Sequence, residues 1–441
     1  MTRGAERLSA PRYRHSVTHD DELSLAAEAY IYLLPLVVMD LTRRASLGTD
    51  PVGSHNQWHH VRDMPSATFR TVVRPNRDTL YSSAWLDVAD EPVLVHLPAT
   101  DGRYVSIMFY DQWTDVFAAV GSRATGSDAV TVALCDPSFG GELPANVRRI
   151  DCPTSLVWAL TRIEIRSDDL HDEHELQDEL TLTRINGDVA TPLPLLDPPA
   201  RSPLKTVMAM SGKDVVDLVH QLLARHATHD SDHVVLQRIS RVGVQPGIAV
   251  TYDDLPATLQ AAWDGASARA QSELLELSSA LLPREDGWMT LRDGTGTWGN
   301  SYERRALIAM FGLGANPPED SLYPTCSVDV SGAPLDGTRR YRITFAPGQL
   351  PPVDAFWSAT VYDARGFFIP HDHERYCLSS RDALSVDADG SLSLNFGPTD
   401  RGEPNWLPTG DGSFAITMRL YLPQRPARSG EWRMPAIIPV D

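Results

Sequence analysis

The sequence predicts an α+β protein in which two antiparallel β units are separated by a helical layer. Three observations carry this fold class. A long apolar helical run lies near the N-terminus, around AYIYLLPLVVM. Short alternating segments fill Thr68 to Ile165 and return after Tyr323. Between them, apolar residues recur at three- and four-residue spacing.

The elements follow in chain order. Thr18 with Asp21 fits a helix N-cap, and a helix runs on through ELSLAAEAYIYLLPLVVMDLTRRA, with Pro35 as a kink point. The segments TFRTVV, DTLYSSAWLDV, PVLVHLP, RYVSIMFYD, DVFAAVG, AVTVALC and SLVWALTRIEI are bounded by Pro, Gly and Asp turns. They read as strands of a sandwich or barrel. Helices are expected over His171–Ile185, Asp214–His226, Ser231–Arg241, Asp253–Leu282 and Asn300–Phe311, the last closed by GLG. SVDVSG, YRITFAP, AFWSATVYDA, SLSLNFG and FAITMRLYLP then read as a second β unit. The expected units are residues 1–66, 67–166, 167–312 and 313–441.

Composition narrows the function classes. The 441 residues are 42% hydrophobic and 22% charged, with formal net charge −19. No Lys/Arg-rich run occurs, so neither nucleic acid nor an anionic membrane is an expected partner. The run Ala29–Met39 is too short to span a bilayer and reads as a buried helix. Cys135, Cys152, Cys326 and Cys377 form no CxxC pair, which suits a reducing compartment. No signal-peptide pattern is read in the first residues, and a cytoplasmic location is expected.

Several motifs are weighed and set aside. No GxSxG elbow occurs, and SGKD at Ser211 lacks the preceding glycine of a P-loop. GLGANP reads as a helix end, so no nucleotide, flavin or other cofactor is expected. His371 and His373 are weak metal candidates, since residues two apart on a strand point the same way. His226, His229 and His233 sit across a helix end and a new N-cap. His59 and His60 are acid–base candidates that a loop or core role explains equally well.

The richest stretch is RPNRDTLYSSAWLDV, Arg74 to Val88. One parity carries Tyr81, Ser83 and Trp85, not the charged coat of a solvated strand, behind a polar knot of Arg74, Asn76, Arg77 and Asp78. Tyr110, Asp111, Gln112, Trp113 and Asp115 follow another strand. If the two strands are near neighbours, carboxylates, arginines, a tyrosine and aromatic platforms converge at one end of the sandwich. The bland reading is an Arg–Asp pair pinning a turn.

These stretches also carry a resemblance. AYIYLLPL, NQWHHVRD, RPNRDTLYSSAWLDV and RYVSIMFYDQWTDVFAAVGSRATG resemble the bacterial domain of unknown function 1254 (DUF1254). WGNSYERRALIAMFGLGANPPEDSLYP, RYRITFAPGQLPPVDAFWSATVYDARGF, RYCLSSR, NWLPTGDGSFAITMRLYLP and GEWRMPAI resemble its companion, DUF1214. The resemblance implies two β-sandwiches of jelly-roll or lectin-like type joined by helices, and names no reaction. IPHDHERY departs from the family's neutral stretch before Arg375 and Tyr376.

The expected function is cofactor-free acid–base chemistry (hydrolysis, elimination or cyclisation) on a small or sugar-like molecule. Asp78, Tyr81, Arg74, Tyr110 and Asp111 are the catalytic candidates. Asn76, Trp85, Trp113, Asn300, Tyr302, Trp357 and Trp406 are the substrate-binding candidates, with Tyr362 and Tyr421 in the same aromatic set. The alternatives are a non-catalytic ligand-binding or self-assembling module, and a metal enzyme at His371/His373.

Overall fold

The first helix is apolar on every side because it is enclosed on every side. In the computed structural model, α1 (His19–Leu47) keeps almost every side chain from Ala26 to Leu41 buried. The structure describes residues 19–48, 55–70, 72–185, 202–248, 250–281, 283–372 and 374–440, which leaves the expected cap at Thr18 outside. Asp20, Asp21 and Glu22 occupy the first turn, where acids suit the helix dipole. Over its whole length α1 is long and apolar enough to cross a membrane, yet 83% of its most apolar window is buried inside the protein.

The first β unit holds β1 (His59–His60), β2 (Thr79–Asp87), β3 (Val93–Leu97), β4 (Val105–Tyr110) and β5 (Val116–Gly121). It continues through β6 (Val130–Cys135), β7 (Arg148–Asp151), β8 (Leu156–Glu164), α2 (His171–Glu179) and β9 (Thr181–Arg184). One sheet has the order β1-β2-β8-β4-β5 and the other β7-β6-β3-β9. Ala84, Leu86, Ile107, Phe109 and Ala159 of the first meet Val93, Val95, Val132 and Leu134 of the second in one core.

The helical layer follows. It contains α3 (Pro203–Ala209), α4 (Gly212–Arg225), α5 (His233–Ile239) and α6 (Ala257–Leu281), then the short strands β10 (Arg284–Glu285) and β11 (Trp288–Met289) and α7 (Tyr302–Phe311). Ser211 caps α4 through a capping box with Asp214. These helices pack around α1 with Trp263 and Trp113 in the shared core.

The second unit comprises β12 (Ser321–Leu322), β13 (Thr325–Cys326), β14 (Arg340–Phe345), β15 (Trp357–Asp363) and β16 (Cys377–Ser379). It ends with β17 (Leu392–Gly397), β18 (Trp406–Pro408), β19 (Phe414–Tyr421), α8 (Arg425–Ser429) and β20 (Ile438–Val440). Its large sheet runs β10-β11-β13-β19-β15-β16 with β12 beside β19, and its smaller one runs β18-β17-β14-β20.

Four expectations are corrected. TFRTVV forms no strand among its described residues: Arg74 takes φ +54 ahead of Pro75, and Val72 and Val73 are exposed. The helix over 171–185 stops at Glu179, and Thr181–Arg184 pairs with β3. SVDVSG is a turn, held where Asp329 Oδ1 accepts from the Ser331 and Ala333 amides. Finally, β6–β7 and β17–β18 are parallel pairs inside otherwise antiparallel sheets.

Candidate functional site

Register across β2, β8 and β4 decides what the Tyr81–Ser83–Trp85 face meets. Tyr81 stands opposite Arg162, Ser83 opposite Leu160, and Trp85 opposite Trp158. Trp85 and Trp158 stack at 5.5 Å, and the Trp158 Nε1–H donates to Ser83 Oγ at 2.8 Å. The Tyr110 ring lies 5.2 Å from Trp158, with its hydroxyl donating to the Gly314 carbonyl at 2.9 Å. Gly314, in the loop after α7, has φ +81, and a Cβ there would stand 3.1 Å from the Trp158 ring. The glycine thus permits the loop to lie against this face.

The second unit supplies the opposing wall. Ser358, Thr360 and Tyr362 of β15 share a sheet face with Thr417, Arg419 and Tyr421 of β19, while Ala359, Val361, Ile416, Met418 and Leu420 pack into the core behind. Asp78 is buried and its Oδ2 accepts from Ser358 Oγ at 2.5 Å and Tyr421 Oη at 3.4 Å. Its ionic partner is Arg381 at 3.5 Å, not Arg74, so the expected Arg74–Asp78 pair does not form. Arg74 instead donates to Thr325 Oγ1 at 3.0 Å. Asn76 Nδ2 donates to both Tyr81 Oη and Tyr421 Oη at 3.0 Å. Arg419 is buried and donates to Tyr362 Oη at 2.6 Å and to the Arg74 carbonyl at 3.1 Å.

Arg162 sits between these walls. It is 5% exposed, its Nη2 donates to the Gly314 carbonyl at 2.7 Å, and its guanidinium lies 5.5 Å from the Tyr81 ring centroid. Its Nε and Nη1 have no hydrogen-bond partner among the described residues. Around it, Asn76, Tyr81, Trp158 and Tyr323 are only half-buried. Burial would raise the Tyr81 phenol, but the Arg162 charge, the Asn76 bond and Arg419 together hold it below the usual tyrosine value. The other tyrosines of the junction go the opposite way: burial pushes Tyr110 up to about 12 and raises Tyr104, Tyr323, Tyr362 and Tyr421.

Asp111 belongs to a second cluster, so the structure divides the expected catalytic set. Its Oδ1 accepts from the Trp113 and Asp115 amides at 2.9 and 3.0 Å, and its Oδ2 lies 2.6 Å from His229 Nε2. Asp115 Oδ1 accepts from the Trp298 amide at 2.7 Å, while its Oδ2 has no partner among the described residues. Burial and the neighbouring Asp111 raise the Asp115 carboxyl to about 6. Burial would lower His229, but the bond and charge of Asp111 raise it. One donor atom from each of Asp111, Asp115 and His229 lies within 4.8 Å of the others, a spacing that a metal ion could bridge.

The remaining candidates disperse. Trp113 is enclosed in the helical core, donating to the Ala227 carbonyl. Tyr302 shares Asp232 with Tyr32, Asn300 is exposed, and Trp357 is buried in the core of the second unit. Trp406 is buried with the His371 ring 5.4 Å away, and His373 lies outside the described residues. His60 is paired with Ser82, and burial lowers it to about 4. A cavity of about 320 Å³ opens beside Arg74 and Tyr362, and a groove of about 720 Å³ lies between α1, α6 and α7.

Sequence reasoning missed Arg162, Arg381, Ser358, Tyr323 and the His229–Asp111 link. Arg162 and Arg419 did leave a signal: each is a lone arginine inside an otherwise apolar strand, WALTRIEI and FAITMRLYL.

The family model for DUF1254, a protein of unknown function, matches residues 55–184, and that for DUF1214, likewise of unknown function, matches 320–425. The VPA0106 protein of Vibrio parahaemolyticus is similar in structure, with TM-score 0.71 and 24% identity over 95% of this chain and 100% of that one. An uncharacterized protein from Burkholderia cenocepacia aligns with TM-score 0.46 and 14% identity over 96% of this chain and 94% of that one. No curated protein matches the chain.

Proposed function

The chain carries both domains and so belongs to the two-domain DUF1254/DUF1214 family, and from that premise we propose a cofactor-free acid–base enzyme working where the domains meet. We read each domain as a β-sandwich whose outer sheet face forms one wall of the site. The observation that carries the proposal is Tyr81: a junction tyrosine held below its ordinary value, half-buried, and beside a buried guanidinium.

A phenol of that kind loses its proton to solvent more readily and then serves as a base. The Tyr81 oxygen takes a proton from a carbon next to an electron-withdrawing group of the bound molecule. The electron pair left behind forms a carbon–carbon double bond and expels an oxygen leaving group, which Tyr323 or water reprotonates. Asn76 orients Tyr81, and Arg162 stabilises negative charge as it develops on the substrate. Asp78 holds the two walls in register through Ser358 and Arg381, which makes it a positioning residue.

Proton exchange tests the reading without a known substrate. In heavy water, a panel of small hydroxy acids and sugars incubated with the protein should exchange a C–H proton, seen by nuclear magnetic resonance. The Tyr81→Phe variant should lose that exchange by about a hundredfold or more. Exchange that survives in Tyr81→Phe, or none across the panel, would sink the assignment.

A further inference from the structure

Arg162 raises a question that the fold does not answer: what neutralises it. The side chain is 95% enclosed by its surroundings, being 5% exposed. Of the five N–H groups of a guanidinium, those on Nε and Nη1 make no well-aligned hydrogen bond among the described residues, and the groups the guanidinium does approach are the Tyr81 and Tyr110 hydroxyls, which are neutral when protonated. The nearby carboxylates are engaged elsewhere. Asp78 binds Ser358 and Arg381, Glu164 binds Arg166 and Arg381, and Asp320 pairs with Arg123 at 2.7 Å. A buried charge with unspent donors is unfavourable; Arg305 bears that cost sealed in the helical core, but Arg162 lies beside half-buried Asn76, Tyr81, Trp158 and Tyr323, where a ligand can reach it.

We propose that the domain junction binds a ring-bearing carboxylate, a monoanion whose oxygens take the unspent N–H groups of Arg162. This deepens, and rests on, the reading of the junction as the substrate site. A carboxylate matches the planar guanidinium fork. A single charge fits a site with one arginine to spend and with the buried Asp320 carboxyl within electrostatic reach of it. Along the same face, half-buried Trp158 and Tyr81 offer aromatic surface to a sugar or aromatic ring.

Calorimetric titration of the full chain in low-chloride buffer tests this with matched pairs: galacturonate against galactose, and benzoate against benzamide. At least one acid should bind and neither neutral partner should. Preference for galacturonate identifies an acidic sugar, and preference for benzoate an aromatic acid. Arg162→Lys keeps the charge but loses the fork, and should weaken acid binding about tenfold or more. The proposal is overturned if neutral partners bind as tightly as acids, if no acid binds, or if Arg162→Lys binds as the native protein does. Acid binding without proton exchange would end the enzyme reading and leave the carboxylate site standing. Exchange confined to neutral molecules would do the reverse.

Discussion

Two buried polar clusters flank β4, and they differ in what borders them. At the domain junction, Arg162 keeps Nε and Nη1 without partners among the described residues. At the helical layer, Asp111 uses both oxygens on the Trp113 and Asp115 amides and on His229, while Asp115 Oδ2 and, on the neighbouring Arg305, Nε and Nη1 are left over. The first cluster is bordered by half-buried Asn76, Tyr81, Trp158 and Tyr323, whereas the second is enclosed by the helical core and holds β4, β5 and the segment after α4 together. Burial of charge alone therefore does not distinguish a site from a strut.

Substitutions should separate the two most sharply. Asp111→Ala removes the partner of His229 and frees two buried amides, so it should cost about 3 kcal/mol or more in chemical denaturation. Arg162→Met should leave stability within about 1 kcal/mol of the native protein, or raise it. The Gly314 carbonyl it abandons still accepts from Tyr110. A loss for Arg162→Met as large as that for Asp111→Ala would make both clusters struts.

Ser358→Ala comes next. It removes the 2.5 Å bond to buried Asp78 and should cost about 1–2 kcal/mol, read from the same denaturation curves. Loss of that magnitude in Ser358→Ala with none in Tyr81→Phe would place Asp78 with the framework and Tyr81 with the chemistry.

The smallest effect is in the pH dependence of the helical-layer cluster. Asp115 titrates near 6 in the fold against an ordinary 3.8, so the folded state favours its protonated form. That contribution is present below pH 3.8 and is lost as pH rises through about 6. His229, raised above 6.5, contributes below 6.5 and loses it as pH climbs through its folded value. Thermal stability should thus decline from pH 5 to 8, and Asp115→Asn should flatten part of that slope by roughly 1 kcal/mol. An unchanged slope would show that Asp115 ionises in the fold as it does in solvent.

The strands of both clusters were legible in the sequence, and their partners were not. Alternation in DTLYSSAWLDV, RYVSIMFYD and SLVWALTRIEI marks β2, β4 and β8, because one face of each is buried in a core. The same pattern cannot say that the other face meets a second domain. Asp78 finds Ser358 a distance of 280 residues along the chain, and Asp111 finds His229 at a distance of 118. TFRTVV shows the opposite failure. Its valines suggested a strand, yet no sheet edge receives them and the backbone turns at Arg74.

The most direct measurement is a pH titration of tyrosinate ultraviolet absorbance, native protein minus Tyr81→Phe. The expected difference is one tyrosine ionising below the ordinary value of 10.0, absent from the variant. A difference spectrum in which the missing tyrosine titrates at or above that value would contradict the assignment of Tyr81 as the base of the junction.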